Sequence, residues 1–237
     1  MSASVTDLLA GFDWATPFIA DACVALGLPP RTAAAGLRPL VAGSRIAGPA
    51  CPAKHAGSVD VFLEAIHDAA PGDILVIDNV GRLDEGCIGD MIAAEARAGG
   101  LAGIVLWGAH RDGPAIRKIG IPLWSLGSCP VGPVELRQRT PHALQAASIG
   151  GHTTVTRTDV IFADEDGAMV VDATDVERVV ETARGLAARE EGQAARLAAG
   201  ERLWTQFDME GYLGARRASP ELTFREHLKA RRAASER

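Results

Sequence analysis

The feature that most limits the fold is a rhythm of short apolar runs between residues 74 and 127. "ILVID" (74–78), "GIVLWGA" (103–109) and "IPLWSLG" (121–127) are continuous apolar stretches, far shorter than a membrane span. Runs of this kind read as strands buried in a sheet. Helical stretches separate them: "GDMIAAEARAGG" (89–100), closed by two glycines, and the shorter "PAIRKIG" (114–120). Strand and helix in alternation imply α/β organisation.

The flanks extend the pattern. "TPFIADACVALGL" (16–28) reads as a helix with Thr16 as cap and Pro17 at its first position. "LVAGSRIAGPAC" (40–51) is strand-like. "SVDVFLEAIHDAA" (58–70) is a helix with Ser58 as N-cap and Val59, Phe62, Leu63 and Ile66 on one face. After Pro141 the pattern changes to short strands, "ASIGGHTTV", "DVIFAD" and "AMVVD", with "DEDG" (164–167) as a tight turn. A long alanine-rich helix follows from Thr174, with Thr174 and Glu177 in capping-box spacing and a break expected near Gly185 or Gly192. The expected organisation is one α/β domain over 1–200 and a C-terminal helical extension over 201–237.

With 47% hydrophobic and 23% charged residues in 237, the chain can bury a sizeable core. A net charge of −6 disfavours bulk nucleic-acid binding. The tail is the exception: Arg216, Arg217, Arg225, Lys229, Arg231, Arg232 and Arg237 outnumber Glu221, Glu226 and Glu236. It reads as a solvated or subunit-contacting helix. Cys23, Cys51, Cys87 and Cys129 form no CxxC pair, so neither a disulfide framework nor a zinc site is expected. No segment approaches the ~20 apolar residues of a membrane span. A cytoplasmic protein with no membrane or nucleic-acid partner is the expectation.

Most motif readings resolve to structure. "AGGLAG" (98–103) precedes a strand, whereas a dinucleotide fingerprint follows one. His55, His67, His142, His152 and His227 are scattered. Lys54 follows a strand and is the one lysine that invites a Schiff-base reading, but "PAKHAG" around it looks like a loop. "GDMIA" (89–93) and "GAHRD" (108–112) are different. Gly89 and Asp90 open a helix whose first amides, including those of Met91 and Ile92, lack intrahelical partners. The next strand delivers Arg111 and Asp112, and ligands gather at strand C-terminal ends in open α/β sheets. A helix end, a guanidinium and two carboxylates suit a small oxo-acid on a divalent metal. On spacing alone this stands at even weight with a solvated turn beside a simple N-cap.

The blocks "AGPA", "PGDILVID", "GDMIAAEARAGGLAGIVLWGAHRD", "IGIPLWSLG" and "DVIFADEDGAMVV" occur here in order. Over residues 16 to 200 they resemble the RraA-like family. It unites 4-hydroxy-4-methyl-2-oxoglutarate aldolases with the regulator of ribonuclease E activity, protein A, and its members are often labelled demethylmenaquinone methyltransferase-like. The resemblance implies an α/β/β/α sandwich of the swivelling β/β/α type, assembled as a trimer or hexamer with active sites between subunits. It implies Mg²⁺ or Mn²⁺ held directly by Asp112 and through water by Asp90. It places Arg111 on the 2-oxo oxygen of pyruvate, and the amides of Met91 and Ile92, after Gly89, on its carboxylate. A neighbouring subunit would add Asp21, where the aldolases carry glutamate, and Glu190 or Glu191. The implied activity is metal-dependent cleavage of a 4-hydroxy-2-oxo acid to pyruvate, with oxaloacetate decarboxylation as a side activity. The alternative is a non-catalytic regulator that binds a ribonuclease or another protein. His110 departs from the aldolases, which have a small apolar residue there.

Overall fold

The computed structural model describes residues 4–150 and 152–235. Gly151, inside the "ASIGGHTTV" run, and the side chains of Arg232, Glu236 and Arg237 in the basic tail lie outside the described residues. The chain forms two compact units, residues 1–184 and 185–237.

The first unit opens with α1 (Val5–Leu9), α2 (Thr16–Ala25), β1 (Arg31–Thr32), β2 (Arg38–Pro39) and β3 (Ile46–Lys54). Next come α3 (Asp60–His67), β4 (Ile74–Asp78), β5 (Gly86–Ile88), α4 (Asp90–Ala98), β6 (Gly103–Trp107) and β7 (Ala109–His110). Then α5 (Gly113–Ile119), β8 (Leu123–Ser125), β9 (Gly127–Ser128), β10 (Ala146–Ser148), β11 (Thr154–Thr156), β12 (Asp159–Ala163) and β13 (Ala168–Asp172) lead into α6 (Val176–Ala198).

An eight-stranded sheet runs β1-β13-β12-β3-β4-β6-β8-β2. Its centre, β3 to β8, is parallel, and the remaining pairings are antiparallel. The continuous apolar runs are explained by two cores, one on each face. Leu75, Ile77, Ile104 and Leu106 point into the core that holds Phe62 of α3 and Ile92 of α4. Ile74, Val76 and Val105 point the other way, toward Trp124 and Ile161. Period two thus places an apolar residue on both faces at every step. This is the α/β sandwich that the resemblance implies.

Beyond their C-terminal ends, β4, β6 and β8 each lead into a strand of a second, three-stranded parallel sheet, β5-β7-β9. Gly108 joins β6 to β7, and its carbonyl accepts from Leu126 N–H, the residue joining β8 to β9. The sequence runs "GIVLWGA" and "IPLWSLG" are therefore each split between two sheets.

Helix ends differ from expectation where other hydrogen-bond partners win. Thr16 does not cap α2; Ala15 does. Thr16 N–H and Oγ1 instead donate to the buried Asp164 carboxylate, at 2.6 and 2.7 Å, tying the helix to the "DEDG" turn. Val59, not Ser58, is the N-cap of α3. Thr174 Oγ1 donates to Asp172 at 2.6 Å, which takes it away from the expected box with Glu177. α6 runs unbroken through Gly185 and Gly192, each flanked by the strong helix formers Leu186, Ala187, Glu190, Glu191 and Gln193.

The second unit holds the end of α6 with α7 (Leu203–Gln206), α8 (Met209–Ala218) and α9 (Phe224–Ser235). Phe207, Tyr212, Phe224 and His227 pack ring against ring at 5.2 to 6.2 Å. Thr223 and Glu226 form the capping box of α9. Among the described residues no helix is long and apolar enough to cross a membrane.

Candidate active site

Arg111 and Asp112 leave the C-terminal end of β7, directly beside the end of β5. Arg111 N–H donates to the Ile88 carbonyl at 2.9 Å, which fixes the turn against β5. Two glycines make the approach possible. A β-carbon on Gly86 would lie 2.6 Å from the Cys129 carbonyl and 2.9 Å from Arg111 N. A β-carbon on Gly89 would overlap Asp112 Oδ2 and crowd Arg111 Nε at 3.2 Å. Asp112 occupies the left-handed region, with φ 59°, a conformation that aspartate tolerates better than most residues. Its carbonyl accepts the first bonds of α5, from Ala115 and Ile116. Its side chain makes no cap bond, so the carboxylate stays available, 3.4 Å from Arg111 Nε and 41% exposed.

Gly89 is also the N-cap of α4. The first bond of this helix runs from Ala93 N–H to the Gly89 carbonyl, so the amides of Asp90, Met91 and Ile92 precede the intrahelical ladder. Ile92 is buried in the core and holds the first turn in place, while Met91 is 77% exposed. One glycine therefore joins the helix N-terminus, the guanidinium and the Asp112 carboxylate. Among the described residues no three His, Cys, Asp or Glu side chains gather as a metal cage. A set of one or two carboxylates with open space suits Mg²⁺ or Mn²⁺, which keep most of their waters, and does not suit zinc. The donors present fit such an ion.

His110 points to the other face of β7. It is buried, and its Nδ1 lies 2.8 Å from Ser125 Oγ. Burial lowers its pKa from the usual histidine value, so the ring is neutral at pH 7.

A buried polar layer lies at the C-terminal ends of β3 and β4 and on the connection to β5. His55 Nδ1 is 2.9 Å from Asn79 Oδ1. Glu85 is 1% exposed and lies 2.9 Å from Arg82 Nη1 and 3.6 Å from His55. Arg82 also grips Asp84 through two bonds, and this holds its guanidinium firmly charged. His55 Nε2, Asn79 Nδ2 and both Glu85 oxygens lack hydrogen-bond partners among the described residues. Four such atoms call for bound water or a better-shaped neighbour. Sequence reasoning missed Asn79 and Glu85, because "DNVGRLDEG" reads as a solvated charged loop.

Arg111 and Asp112 thus lie against the start of α4, at Gly89, Asp90, Met91 and Ile92. Asp21 lies exposed on α2, which packs on β13, four strands from β6 in the sheet. Glu190 and Glu191 are exposed on α6 in the second unit. Lys54 is 45% exposed with its Nζ 3.7 Å from Asp78, the opposite of the desolvated setting a Schiff-base lysine needs.

A family model described as "RraA-like: Aldolase/RraA" matches residues 16–170. A Halalkalibacterium halodurans protein named "Putative 4-hydroxy-4-methyl-2-oxoglutarate aldolase" is 28% identical over 166 residues, covering 66% of this chain and 74% of that protein. Among solved structures, Streptomyces coelicolor RraAS2 is described as an unusual member of the RNase ES inhibitor RraA family. It is 28% identical with a TM-score of 0.68, covering 79% of this chain and 95% of its own. An uncharacterised Pseudomonas syringae protein is 27% identical with a TM-score of 0.71, covering 84% of this chain and 94% of its own.

Proposed function

Because the chain belongs to the RraA-like family, we propose that it is a cytoplasmic, divalent-metal-dependent lyase that cleaves a 4-hydroxy-2-oxo acid to pyruvate. The catalytic domain would be residues 1–200, with 201–237 as a helical extension. The observation that carries the reading is the contact of Asp112 and Arg111 with Gly89 at the start of α4.

Asp112, with Asp90 through water, would hold Mg²⁺ or Mn²⁺, which supplies Lewis acidity to the 2-oxo acid when bound. The amides of Met91 and Ile92 receive the substrate carboxylate at a helix N-terminus. As the C3–C4 bond breaks, its electron pair moves toward the 2-oxo oxygen. Arg111 stabilises the oxyanion that develops there. A water linked to Asp90 would return a proton to C3, which completes pyruvate. Decarboxylation of oxaloacetate develops charge on the same oxygen and needs the same residues.

The proton on the 4-hydroxyl needs a base that this constellation lacks. Asp21 and Glu190 or Glu191 of a neighbouring copy would supply it in a trimer or hexamer. Supporting such an assembly, Leu83, Met91, Val131, Val134 and Leu136 are apolar and 50 to 81% exposed. Val131 belongs to the segment beside the site, its carbonyl accepting from Gly86 N–H at 2.7 Å. The likeness to RraAS2 favours a second reading, a non-catalytic regulator of a ribonuclease or another protein. A screen of oxaloacetate and 4-hydroxy-2-oxo acids for pyruvate release tests the first. Release should stop with chelator and return with Mg²⁺ or Mn²⁺. Full activity in excess chelator removes the metal from the proposal, and no release from any substrate favours the regulator.

A further inference from the structure

A cleft of about 390 Å³ opens beside β2, β9 and α5, on the His110 face of β7. Neighbouring side chains on a strand point to opposite faces. His110 accordingly lines this cleft while Arg111 does not. Its other walls include Arg38, Leu40, Arg117, Ser125 and Ser128, and among the described residues no carboxylate lines it.

The charge balance there is unusual for a chain of net charge −6. Neither Arg38 nor Arg117 forms an ion pair with a carboxylate among the described residues. Arg38 Nη1 donates to the Leu37 carbonyl at 2.8 Å, which leaves most of its donors unspent. The nearby acid with an influence on His110 is Asp112, beyond the turn.

Between the arginines stands a buried polar pair. His110 and Ser125 are each 4% exposed. The 2.8 Å contact from Ser125 Oγ to His110 Nδ1 is shorter than the 3.3 Å contact to the Gly127 carbonyl. Either atom can donate across the shorter contact, and Ser125 Oγ also donates to the Gly127 carbonyl. Nε2 makes no hydrogen bond among the described residues and lies 3.2 Å from the β-carbon position of Gly113, another residue of the cleft wall. The cleft therefore presents two guanidinium groups without carboxylate partners, the edge of the His110 imidazole and the Ser128 hydroxyl, with Leu40 as an apolar wall.

We infer that this cleft binds a small dianion, a dicarboxylate or a phosphate group, at a site separate from the Arg111–Asp112 turn. Forked guanidinium groups match the oxygens of either ligand. The His110 imidazole beside them is already desolvated, so the cost of burying it falls on folding and not on binding.

The test is calorimetric titration of the full-length, metal-free protein with inorganic phosphate and, separately, with malonate at matched ionic strength. At least one should bind, with Kd on the order of 1 mM or tighter. Arg38→Gln and Arg117→Gln should each weaken it about tenfold, the loss of a charge-assisted contact. Arg111→Gln should leave that binding unchanged. The His110 Nε2 resonance of the unmodified protein should shift on titration, which locates the ligand even if a variant is unstable. Binding of phosphate alone or malonate alone identifies the preferred group. The inference is overturned if neither anion binds and the resonance stays still, or if Arg111→Gln is the only substitution that weakens binding.

Discussion

At the scale of single residues, Asp112 and Gly89 depend on each other. Asp112 spends its backbone on starting α5 and keeps its side chain free. That carboxylate lies where a β-carbon on residue 89 would stand. Gly89→Ala should therefore push the carboxylate aside without touching the core. Its φ of −136° is open to alanine, and the atoms displaced are side-chain ends. The expected result is a urea midpoint close to the parent's with turnover down roughly 10²-fold, as for a displacement of about 1 Å at a reacting centre. A fully active Gly89→Ala protein would show that the carboxylate has no part in the reaction. Arg111→Lys probes the neighbouring role. Lysine keeps the charge and loses the planar fork. Metal affinity by calorimetry should persist while turnover falls on the order of 10²–10³-fold, the usual loss for one oxyanion donor. Asp112→Ala should lose both. Parent-like Mn²⁺ binding by Asp112→Ala would reduce the "HRD" turn to a polar loop.

At the scale of elements, the strands were legible because burial on both faces leaves a continuous apolar signal, as in Ile74 to Ile77. The gathering of Arg111 and Asp112 against the start of α4 was legible because Arg111, Asp112 and Asp90 stand at the ends of such elements. The second sheet was not, since strands of two or three residues such as β7 and β9 carry no periodicity. The helix caps failed for a related reason. Thr16 and Thr174 carry the right side chain, but each found a carboxylate, Asp164 across the fold for Thr16 and Asp172, two residues back along the chain, for Thr174. Glu85 was least legible, because nothing local separates a buried glutamate from a solvated one. Its layer has a consequence for stability. Burial lowers the His55 pKa, outweighing Asn79 and Glu85, which raise it; Arg82 and Arg137 act in the same direction as burial. The unfolded chain, with histidine near its usual pKa of about 6.5, then binds the proton more readily than the folded one. Stability is fully present above that pH and falls as acidification proceeds toward the depressed folded pKa. Urea midpoints should drop between pH 7.5 and pH 5.5, and His55→Gln should show a smaller drop over the same interval. An unchanged pH dependence in His55→Gln would mean that His55 does not carry this proton linkage.

At the scale of the whole molecule, the proposed reaction asks for more than one chain supplies at the site. Arg111, Asp112 and Asp90 converge there, while Asp21 sits on α2 against β13, across the sheet. The exposed apolar side chain of Val131 beside the site, with Val134 and Leu136 exposed farther along the same segment, is a reason for a second copy to dock there. If that copy brings Asp21, the two halves of an active site can be carried on different chains. Asp112→Ala and Asp21→Ala proteins should each be inactive alone, and each should remain oligomeric by light scattering. Co-expressed with separate affinity tags and purified as mixed oligomers, they should regain activity. Each mixed trimer pairs an intact Arg111–Asp112 turn with an intact neighbouring Asp21 at one site in three, and randomly mixed hexamers at about one in four, so roughly a quarter to a third of parent activity is expected. A site contained within one chain predicts no recovery, because every chain in the mixture carries a lesion. Mixed oligomers that stay inactive would therefore confine the chemistry to a single chain, and an active Asp21→Ala protein would remove Asp21 from it.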